Sequence, residues 1–272
     1  MPTLVAVRRE PEFSPGRVED DAAILERTRD ALAARDVTLR IGDVAELDTD
    51  TPDAVLAMCQ SATALAALDR AAASIPVINT PDAIRACYRH ETIRRLAGST
   101  VPFPPTRVVA TTDDPMLPAD AAPCWVKRGD VHAMTAADVV FAATADDVRT
   151  ALRDFADRGI KRAALQRHVA GTVIKFYGVA DGRFFRCYTQ GGSIPAPIPT
   201  LWEAARSGAA ALGLEVFGGD LVVGDDGRPT IVDLNDWPSF ARCRDEAADA
   251  IASYVIDRLE ASASPHLQGQ HG

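Results

Sequence analysis

Residues 212–240 read LGLEVFGGDLVVGDDGRPTIVDLNDWPSF, and the fold assignment depends on them more than on any other stretch. Two short apolar runs, Leu221–Val223 and Thr230–Leu234, flank the Gly-Asp-Asp-Gly sequence of residues 224–227. Glycine and aspartate adopt the backbone conformations of tight turns, so two β-prone runs on either side of them predict a β-hairpin.

Three polar side chains of this hairpin form a candidate metal site. Asp233 and Asn235 are two residues apart, so both point to one face of their strand. An antiparallel partner strand brings Asp220 opposite them. Two carboxylates and an amide oxygen on one face are suited to Mg²⁺, which takes a few protein oxygens together with nucleotide phosphates. The alternative is that all three are ordinary polar residues of a strand end and a turn.

The first 80 residues alternate between strand and helix patterns. This alternation predicts a small parallel α/β domain. No Gly-x-Gly-x-x-Gly follows the first strand, which disfavours a dinucleotide-binding domain. Strands are predicted at residues 4–7, 37–41, 54–59 and 77–79, and helices at residues 19–35 and 61–73.

The composition is that of an ordinary globular chain of 272 residues, with 47% hydrophobic and 25% charged residues. The net charge of −9 disfavours a nucleic-acid partner. The five dispersed cysteines include no Cys-x-x-Cys pair, which is typical of reduced thiols. No export signal begins the chain, and no apolar run approaches the roughly 20 residues that span a bilayer, so we expect a cytoplasmic protein with no membrane partner.

Two further segments carry basic residues where a phosphate could bind. Lys127 ends an apolar strand and precedes a glycine-containing loop, an arrangement that can place an ammonium and backbone N–H groups around phosphates. Residues 172–188 predict two strands around an Asp-Gly turn, with Lys175 on the first strand and Arg186 on the returning one. The alternative for each of these cations is a solvated position on a strand surface.

The motifs together resemble the ATP-grasp superfamily. A Gly-x-Asp strand, a glycine turn and then hydrophobic-hydrophobic-Asp-x-Asn-x-x-Pro is similar to the metal-binding end of that fold, where such residues hold Mg²⁺ ions that bridge the phosphates of ATP. Asp220, Asp233 and Asn235 fall on those positions. Lys127 and the segment 166–169 precede them in the order that the family requires, and the resemblance covers residues 76–255.

The resemblance implies roles for three cations. Lys127 is expected to contact the α- and β-phosphates of ATP, and the loop that follows it is expected to close over them. Lys175 matches a position that faces phosphate or the acceptor substrate, and Arg186 can join it. These three are the predicted catalytic residues, and Lys127 and Lys175 are also predicted to bind the nucleotide.

The same resemblance assigns the remaining ATP contacts. The side chain of Gln166 and the backbone groups of Arg167 and Val169 take the positions that read the adenine edge.

The segment after residue 80 predicts one helix that continues through Leu96, because the polar residue before Pro81 can cap a helix and proline suits its first turn. The family has a phosphate-binding lysine on this helix, but here Arg89 and His90 are nearest to its position. We expect Arg89 to replace it, with a solvated helix residue as the alternative.

Three residues are weaker candidates for substrate contacts. His132 lies in the loop after Lys127, where it can contact phosphate or substrate or be an ordinary loop histidine. Ser239 and Arg242 follow the Asn-x-x-Pro segment, whose counterpart in the family commonly meets the acceptor substrate.

The resemblance implies an α/β fold in which a small parallel pre-ATP-grasp domain, residues 1–80, precedes an ATP-grasp domain, residues 81–260. The latter has two α+β lobes that clamp the nucleotide, at about 107–165 and about 166–260. Residues 261–272 are small and polar, and we expect them to be disordered. Dimers are common in this fold, so a homodimer is compatible with the resemblance, although the sequence does not decide the oligomeric state.

The implied activity is that of a carboxylate–amine ligase, similar to the branch that modifies ribosomal protein. Such enzymes use ATP and Mg²⁺ to convert a carboxylate into an acyl phosphate, which an amine then attacks, releasing ADP and phosphate. The expected partners are a small carboxylate and a small amine. The alternative is a small-molecule kinase of the inositol-phosphate-kinase branch, and a third possibility is a non-catalytic nucleotide-binding module.

Overall fold

The computed structural model describes residues 1–48, 51–112, 117, 122–131 and 133–263. The described strands form three four-stranded sheets that follow one another along the chain. The first sheet is parallel and the other two are antiparallel.

The N-terminal domain is the predicted parallel α/β unit, with strand order β2-β1-β3-β4. Its central strands are almost completely buried, because helices cover both faces of a parallel sheet and apolar residues fill every position. The Ser61 hydroxyl accepts from Ala64 N–H and so begins the second helix. The elements are β1 (Thr3–Val7), α1 (Val18–Ala33), β2 (Thr38–Gly42), β3 (Ala54–Ala57), α2 (Ala62–Ala72) and β4 (Val77–Ile78).

Two helices, α3 (Pro81–Ala86) and α4 (Arg89–Ala97), connect this domain to the next sheet. The sequence predicted one continuous helix, and the prediction was wrong at Tyr88, whose backbone is extended. The Tyr88 hydroxyl donates to the backbone carbonyl of Gln60 at 2.5 Å, a tertiary contact that the helical pattern does not contain. The Thr80 hydroxyl caps α3 and Pro81 occupies its first turn, as predicted.

The second sheet has the order β5-β8-β6-β7, and one helix covers it. That helix, α5, begins with a capping box formed by Thr144 and Asp147. Its buried face contains Val148, Leu152 and Phe155, which follow one another at helical spacing. The elements are β5 (Thr106–Ala110), β6 (Cys124–Arg128), β7 (Val139–Ala142), α5 (Ala145–Asp157) and β8 (Arg162–Arg167).

The third sheet has the order β10-β9-β11-β12 and contains the predicted hairpin. Helix α6 packs on one face of this sheet. Helix α7 packs on the other face and also against α1 of the N-terminal domain. The elements are β9 (Thr172–Val179), β10 (Phe184–Thr189), α6 (Ile198–Leu212), β11 (Val216–Val223), β12 (Pro229–Asp236) and α7 (Arg244–Ala263).

Asn79 joins the N-terminal domain to the third sheet. It is fully buried. Its amide nitrogen donates to the Val216 carbonyl at 2.8 Å, and its amide oxygen accepts from the backbone N–H groups of Glu215 at 2.7 Å and Val216 at 2.9 Å. Because β11 begins at Val216, these bonds fix the start of the strand that carries Asp220.

Helix α7 continues to Ala263, so the first three residues of the predicted disordered tail are helical. Residues 264–272 of that prediction lie outside the described part of the chain. Within the described part, no helix combines the length and the apolar character needed to cross a bilayer.

Candidate active site

The hairpin places the predicted metal ligands as expected. Asp220 on β11 lies directly opposite Asp233 on β12, and Asn235 is the next residue of β12 on that face. The Asn235 amide donates to Asp233 Oδ2 at 3.2 Å, which leaves its amide oxygen for another partner. Gly219 allows the strands to approach closely, because a Cβ at this position would lie 2.2 Å from the Asp233 carbonyl oxygen.

A β-bulge interrupts the hairpin beside these residues. Asp220 pairs with Asp233 but Leu221 pairs with Ile231, so Val232 is left without a partner on β11. The Val232 carbonyl instead accepts from Lys127 Nζ at 3.0 Å and from the Gln166 amide at 3.3 Å. The bulge therefore links the second sheet to the third at the candidate metal site.

Lys127 is a buried cation, with only 7% of its surface exposed. Burial lowers its pKa from the ordinary 10.5 to about 8, and the nearby Asp233 carboxylate opposes this effect while Arg89 adds to it. A desolvated ammonium next to a cavity is well suited to bind an anionic ligand such as a phosphate.

Arg89, the predicted replacement for the family's helix lysine, lies beside the candidate metal site. It begins α4, is buried, and donates from a terminal nitrogen to Asp233 Oδ1 at 3.2 Å. Its Nε is buried and has no hydrogen-bond partner among the described residues. His90 instead lies beside Glu91, with 3.9 Å between its Nε2 and the carboxylate. The geometry therefore favours Arg89 over His90.

The two candidate carboxylates differ in their protonation behaviour. Burial raises the pKa of Asp220, although Lys175 at 3.6 Å opposes the effect. Burial would also raise the pKa of Asp233, but Arg89 and Lys127 overcome it and the net shift is downward. Asp233 is therefore the more readily ionised of the two.

The other two predicted cations occupy different surroundings. Lys175 faces Asp220 across the sheet, and its predicted contact with phosphate or the acceptor stays a prediction. Arg186 does not lie at this site: it pairs with Glu246 of α7, and its guanidinium lies over the Phe184 ring. Arg186 lines neither of the two cavities described below. The structure therefore does not bring it together with Lys127 and Lys175.

The predicted adenine-reading segment differs in detail from the expectation. The Arg167 N–H donates to the Pro105 carbonyl at 3.0 Å, so that group is already used in the second sheet. The Gln166 side chain is 98% buried and bonded to Val232. Next to it, Trp125 donates from its indole nitrogen to His168 Nδ1 at 3.2 Å. Val169 lines the cavity between the sheets, and its predicted contact with the adenine edge stays a prediction.

A cavity of about 550 Å³ lies between the second and third sheets. Two acidic residues, Asp220 and Asp233, line it together with five cationic residues. Valine side chains and Trp125 supply an apolar part of the wall. Such a cavity is suited to a ligand with a flat apolar end and a strongly anionic end. The cationic residues are Arg89, Lys127, Arg167, Lys175 and Arg242.

A second cavity, of about 280 Å³, lies between the third sheet and the N-terminal domain. Asp220, Asp233 and Lys175 line both cavities, so the two meet at the candidate metal site. Asn235 and the predicted Ser239 line the smaller one. The sequence did not predict the other polar residues of this wall, which come from the N-terminal domain and from the end of β12: Arg9, Ser14, Arg17, Asp21, Gln60 and Asp236.

The remaining predicted substrate residues have different outcomes. Arg242 lines the larger cavity and lies over the Tyr188 ring, with 5.2 Å from its guanidinium carbon to the ring centre. Arg242 is not among the residues that line the smaller cavity, so its predicted contact with the acceptor stays a prediction. His132 lies outside the described residues, and its role stays a prediction.

The candidate metal ligands have the chemistry that a divalent cation requires. Asp220, Asp233 and the Asn235 amide oxygen are hard oxygen donors on one face of one hairpin, and Mg²⁺ completes its shell with water and phosphate oxygens. Within the described ranges, no cluster of three or more His, Cys, Asp or Glu residues is arranged to hold a metal. The candidate site has two carboxylates and an amide, which is a set suited to a metal that is shared with a phosphate ligand.

Neither a protein-family model nor a curated protein sequence matches the chain. Solved structures match it over nearly its whole length. A D-alanine–D-alanine ligase from Coxiella burnetii aligns with a TM-score of 0.71 and 10% identity over 97% of both chains. A RimK domain ATP-grasp protein from Sphaerobacter thermophilus aligns with a TM-score of 0.67 and 19% identity, over 93% of this chain and 99% of that one.

A third match is the D-alanine–D-alanine ligase from Bacillus anthracis in complex with ATP. It has a TM-score of 0.66 and 13% identity, over 96% of this chain and 97% of that one. At these identities the likeness establishes the fold alone. The chain has the ATP-grasp fold, as its sequence motifs predicted.

Proposed function

We propose that this protein is an ATP-dependent ligase that joins a small carboxylate to a small amine through an acyl phosphate. The observation that carries the proposal is the border between the two cavities. Asp220, Asp233 and Lys175 line both of them. A nucleotide in the larger cavity and a carboxylate in the smaller one would therefore meet at residues suited to phosphoryl transfer.

Asp220, Asp233 and Asn235 are the residues that would hold Mg²⁺. Bound there, the ion would neutralise charge on the nucleotide phosphates. The Arg89–Asp233 contact of 3.2 Å places a guanidinium beside the same carboxylate. Arg89 and Lys127 therefore form a buried cationic wall against which the phosphates can lie.

The chemistry needs positioned charges and no protein nucleophile. The γ-phosphoryl group moves from ATP to a carboxylate oxygen, and ADP leaves. The amine nitrogen then attacks the acyl carbon, the bond from carbon to the phosphate oxygen breaks, and the amine loses a proton. Lys175 lies where it can stabilise the transferring group. Burial raises the pKa of Cys59 and of Cys187 to about 12, which is consistent with thiols that take no part.

The smaller cavity favours a ligase over a kinase that acts on a polyphosphate. Such a substrate needs several available cations, but Arg9 already donates to Met58, Asp21, Asp236 and Trp237. Asp21 and Asp236 add negative charge to the same wall. Among the described residues that line this cavity, the exposed cations are Arg17 and Lys175, and Lys175 faces Asp220 at 3.6 Å. Two such cations are too few for a multiply phosphorylated acceptor.

The experiment is an incubation with ATP, Mg²⁺ and pooled amino acids and small carboxylates, analysed by mass spectrometry. The proposal predicts ADP and a product whose mass equals two pool members minus water. Asp233→Asn serves as the control and should give neither. ADP together with one pool member that has gained a phosphoryl group would establish the kinase instead.

A further inference from the structure

The wall of the smaller cavity contains a polar pair that phosphoryl transfer does not use. Gln60 follows β3 in the N-terminal domain, and Asp236 is the last residue of β12. The Gln60 amide nitrogen donates to Asp236 Oδ1 at 3.0 Å, across 176 residues of sequence. Only 5% of Gln60 and 2% of Asp236 is exposed.

Each member of the pair retains an unfilled acceptor. Within the described ranges, neither Gln60 Oε1 nor Asp236 Oδ2 accepts a hydrogen bond. Arg9 lies 3.7 Å from that Asp236 oxygen, beyond hydrogen-bond range. The amide orientation is fixed, because a flipped Gln60 would direct its oxygen at a carboxylate oxygen. Buried acceptors without donors are unfavourable, so two neighbouring ones indicate a place for a group with several N–H bonds.

The buried donors beside this pair are already used. Arg9 donates from all three of its nitrogens, to Met58, Asp21, Asp236 and Trp237. The Ser14 hydroxyl donates to Asp21 at 2.8 Å. The part of the wall next to Gln60 and Asp236 therefore offers acceptors, and that part is unsuited to a carboxylate or a phosphate.

The pair is also held rigidly. The Gln60 N–H donates to a Glu10 carboxylate oxygen at 2.9 Å, and the Gln60 carbonyl accepts from Tyr88 at 2.5 Å. On the other side, the Asp236 carbonyl accepts from Arg9 at 3.1 Å. Because the backbone of both residues is fixed, the acceptors need little reorganisation to receive a ligand.

We propose that Gln60 and Asp236 form a recognition subsite for a positively charged amino group of one substrate. The substrate class is a small compound that carries an ammonium in addition to its reacting group, since the cavity of about 280 Å³ also borders Asp220 and Lys175. This inference rests on the proposed function, because that function makes the smaller cavity the substrate cavity.

The test measures binding without turnover. Saturation-transfer NMR is recorded on the full chain with Mg²⁺ and a non-hydrolysable ATP analogue. The ligands are the proteinogenic amino acids and their D enantiomers, each paired with the carboxylic acid that lacks the amino group. We expect at least one amino acid to bind about tenfold or more tightly than its deaminated partner, the effect of a charge-assisted hydrogen bond.

Two variants address the pair itself. Gln60→Met and Asp236→Asn should each abolish the preference for the amino compound, whereas Asp226→Asn in the exposed hairpin turn should preserve it. Asp236→Asn also tests a purely structural pairing, because the side-chain oxygen of an asparagine can still accept from the Gln60 amide and would preserve the preference in that case.

Equal binding of both members of every pair, no bound amino compound, or a preference that survives both variants would each overturn the inference. The analogue's own signal, recorded in the same samples, distinguishes this failure from failure of the proposed function. A bound analogue without discrimination refutes the subsite alone, while an unbound analogue refutes the ATP site.

Discussion

Replacing the buried Lys127 with methionine should stabilise the nucleotide-free protein at neutral pH. Folding transfers this ammonium into a desolvated site, and its pKa falls from 10.5 to about 8. At about 1.4 kcal/mol per pKa unit, the charged side chain costs about 3 kcal/mol of folding free energy at pH 7. Methionine has a similar length, carries no charge and suits a buried position.

The hydrogen bond from Lys127 to the Val232 carbonyl offsets part of this gain. Its loss costs about 1 kcal/mol. The carbonyl still accepts from Gln166 at 3.3 Å, so it is not left without a partner. The net expectation is that Lys127→Met raises the free energy of unfolding by about 2 kcal/mol at pH 7.

The pH dependence has a definite sign. A lowered lysine pKa means that the unfolded chain binds the proton more tightly, so the wild-type penalty applies below about pH 8 and disappears as the pH rises towards 10.5. The advantage of Lys127→Met should therefore shrink between pH 7 and pH 10. Urea denaturation of both proteins at the two pH values measures this difference, and contributions from shared groups cancel.

The nucleotide should reverse the order of stability. Magnesium ATP stabilises whichever protein binds it, by an amount that grows with the ratio of its concentration to Kd. We expect it to stabilise the wild type and to leave Lys127→Met unchanged. A variant that is less stable than the wild type at pH 7, or an advantage that is equal at pH 7 and pH 10, would refute the reasoning.

Four other substitutions and one control, Gly98→Ala, test separate parts of the structure. Asn79→Ala should lower the free energy of unfolding by at least about 3 kcal/mol, because two backbone N–H groups and a carbonyl lose their buried partner; urea denaturation measures it. Gly219→Ala should destabilise by about 2 kcal/mol or more, since its Cβ meets the Asp233 carbonyl, while Gly98→Ala has open space around it and should change stability by less than about 1 kcal/mol. Asp233→Asn should abolish ATP turnover with an unchanged circular dichroism spectrum, and residual turnover near the wild-type rate would exclude it as a metal ligand. Arg186→Ala should leave ATP affinity unchanged, because Arg186 pairs with Glu246; a large loss in a calorimetric titration would restore it to the site.

The parts of the site that could be predicted are those set by local patterns. Period-two alternation fixes the shared face of Asp233 and Asn235, and a glycine turn of known length brings Asp220 opposite them. The parallel sheet was predictable for the same reason, since continuous apolar runs alternate with helical spacing.

The unpredicted parts depend on contacts between distant segments. The Val232 bulge matters because its carbonyl meets Lys127, 105 residues away. Gln60 and Asp236 are 176 residues apart, and nothing in the pattern of either segment indicates the other. The break at Tyr88 likewise follows from a tertiary hydrogen bond, since the local sequence contains no proline or glycine that would end the helix.

The position of Arg186 on its strand did not predict which group its side chain would contact. Its place opposite Tyr177 puts it on the same sheet as Lys175, as predicted. However, β10 is an edge strand of this sheet, and a long arginine side chain there can reach Glu246 on α7. The partner of a flexible charged side chain is decided by the nearest opposite charge, which the strand pattern does not contain.

The measurement that tests the ligase proposal most directly follows oxygen from the carboxylate to phosphate. The pooled carboxylates are enriched with ¹⁸O and incubated with the protein, amines, ATP and Mg²⁺ in unlabelled water. The isotopic mass of the inorganic phosphate is then measured by mass spectrometry. An acyl phosphate transfers one carboxylate oxygen, so we predict that phosphate formed by the wild type carries one ¹⁸O atom. Phosphate that carries no ¹⁸O would come from attack by water on ATP and would contradict the proposed reaction.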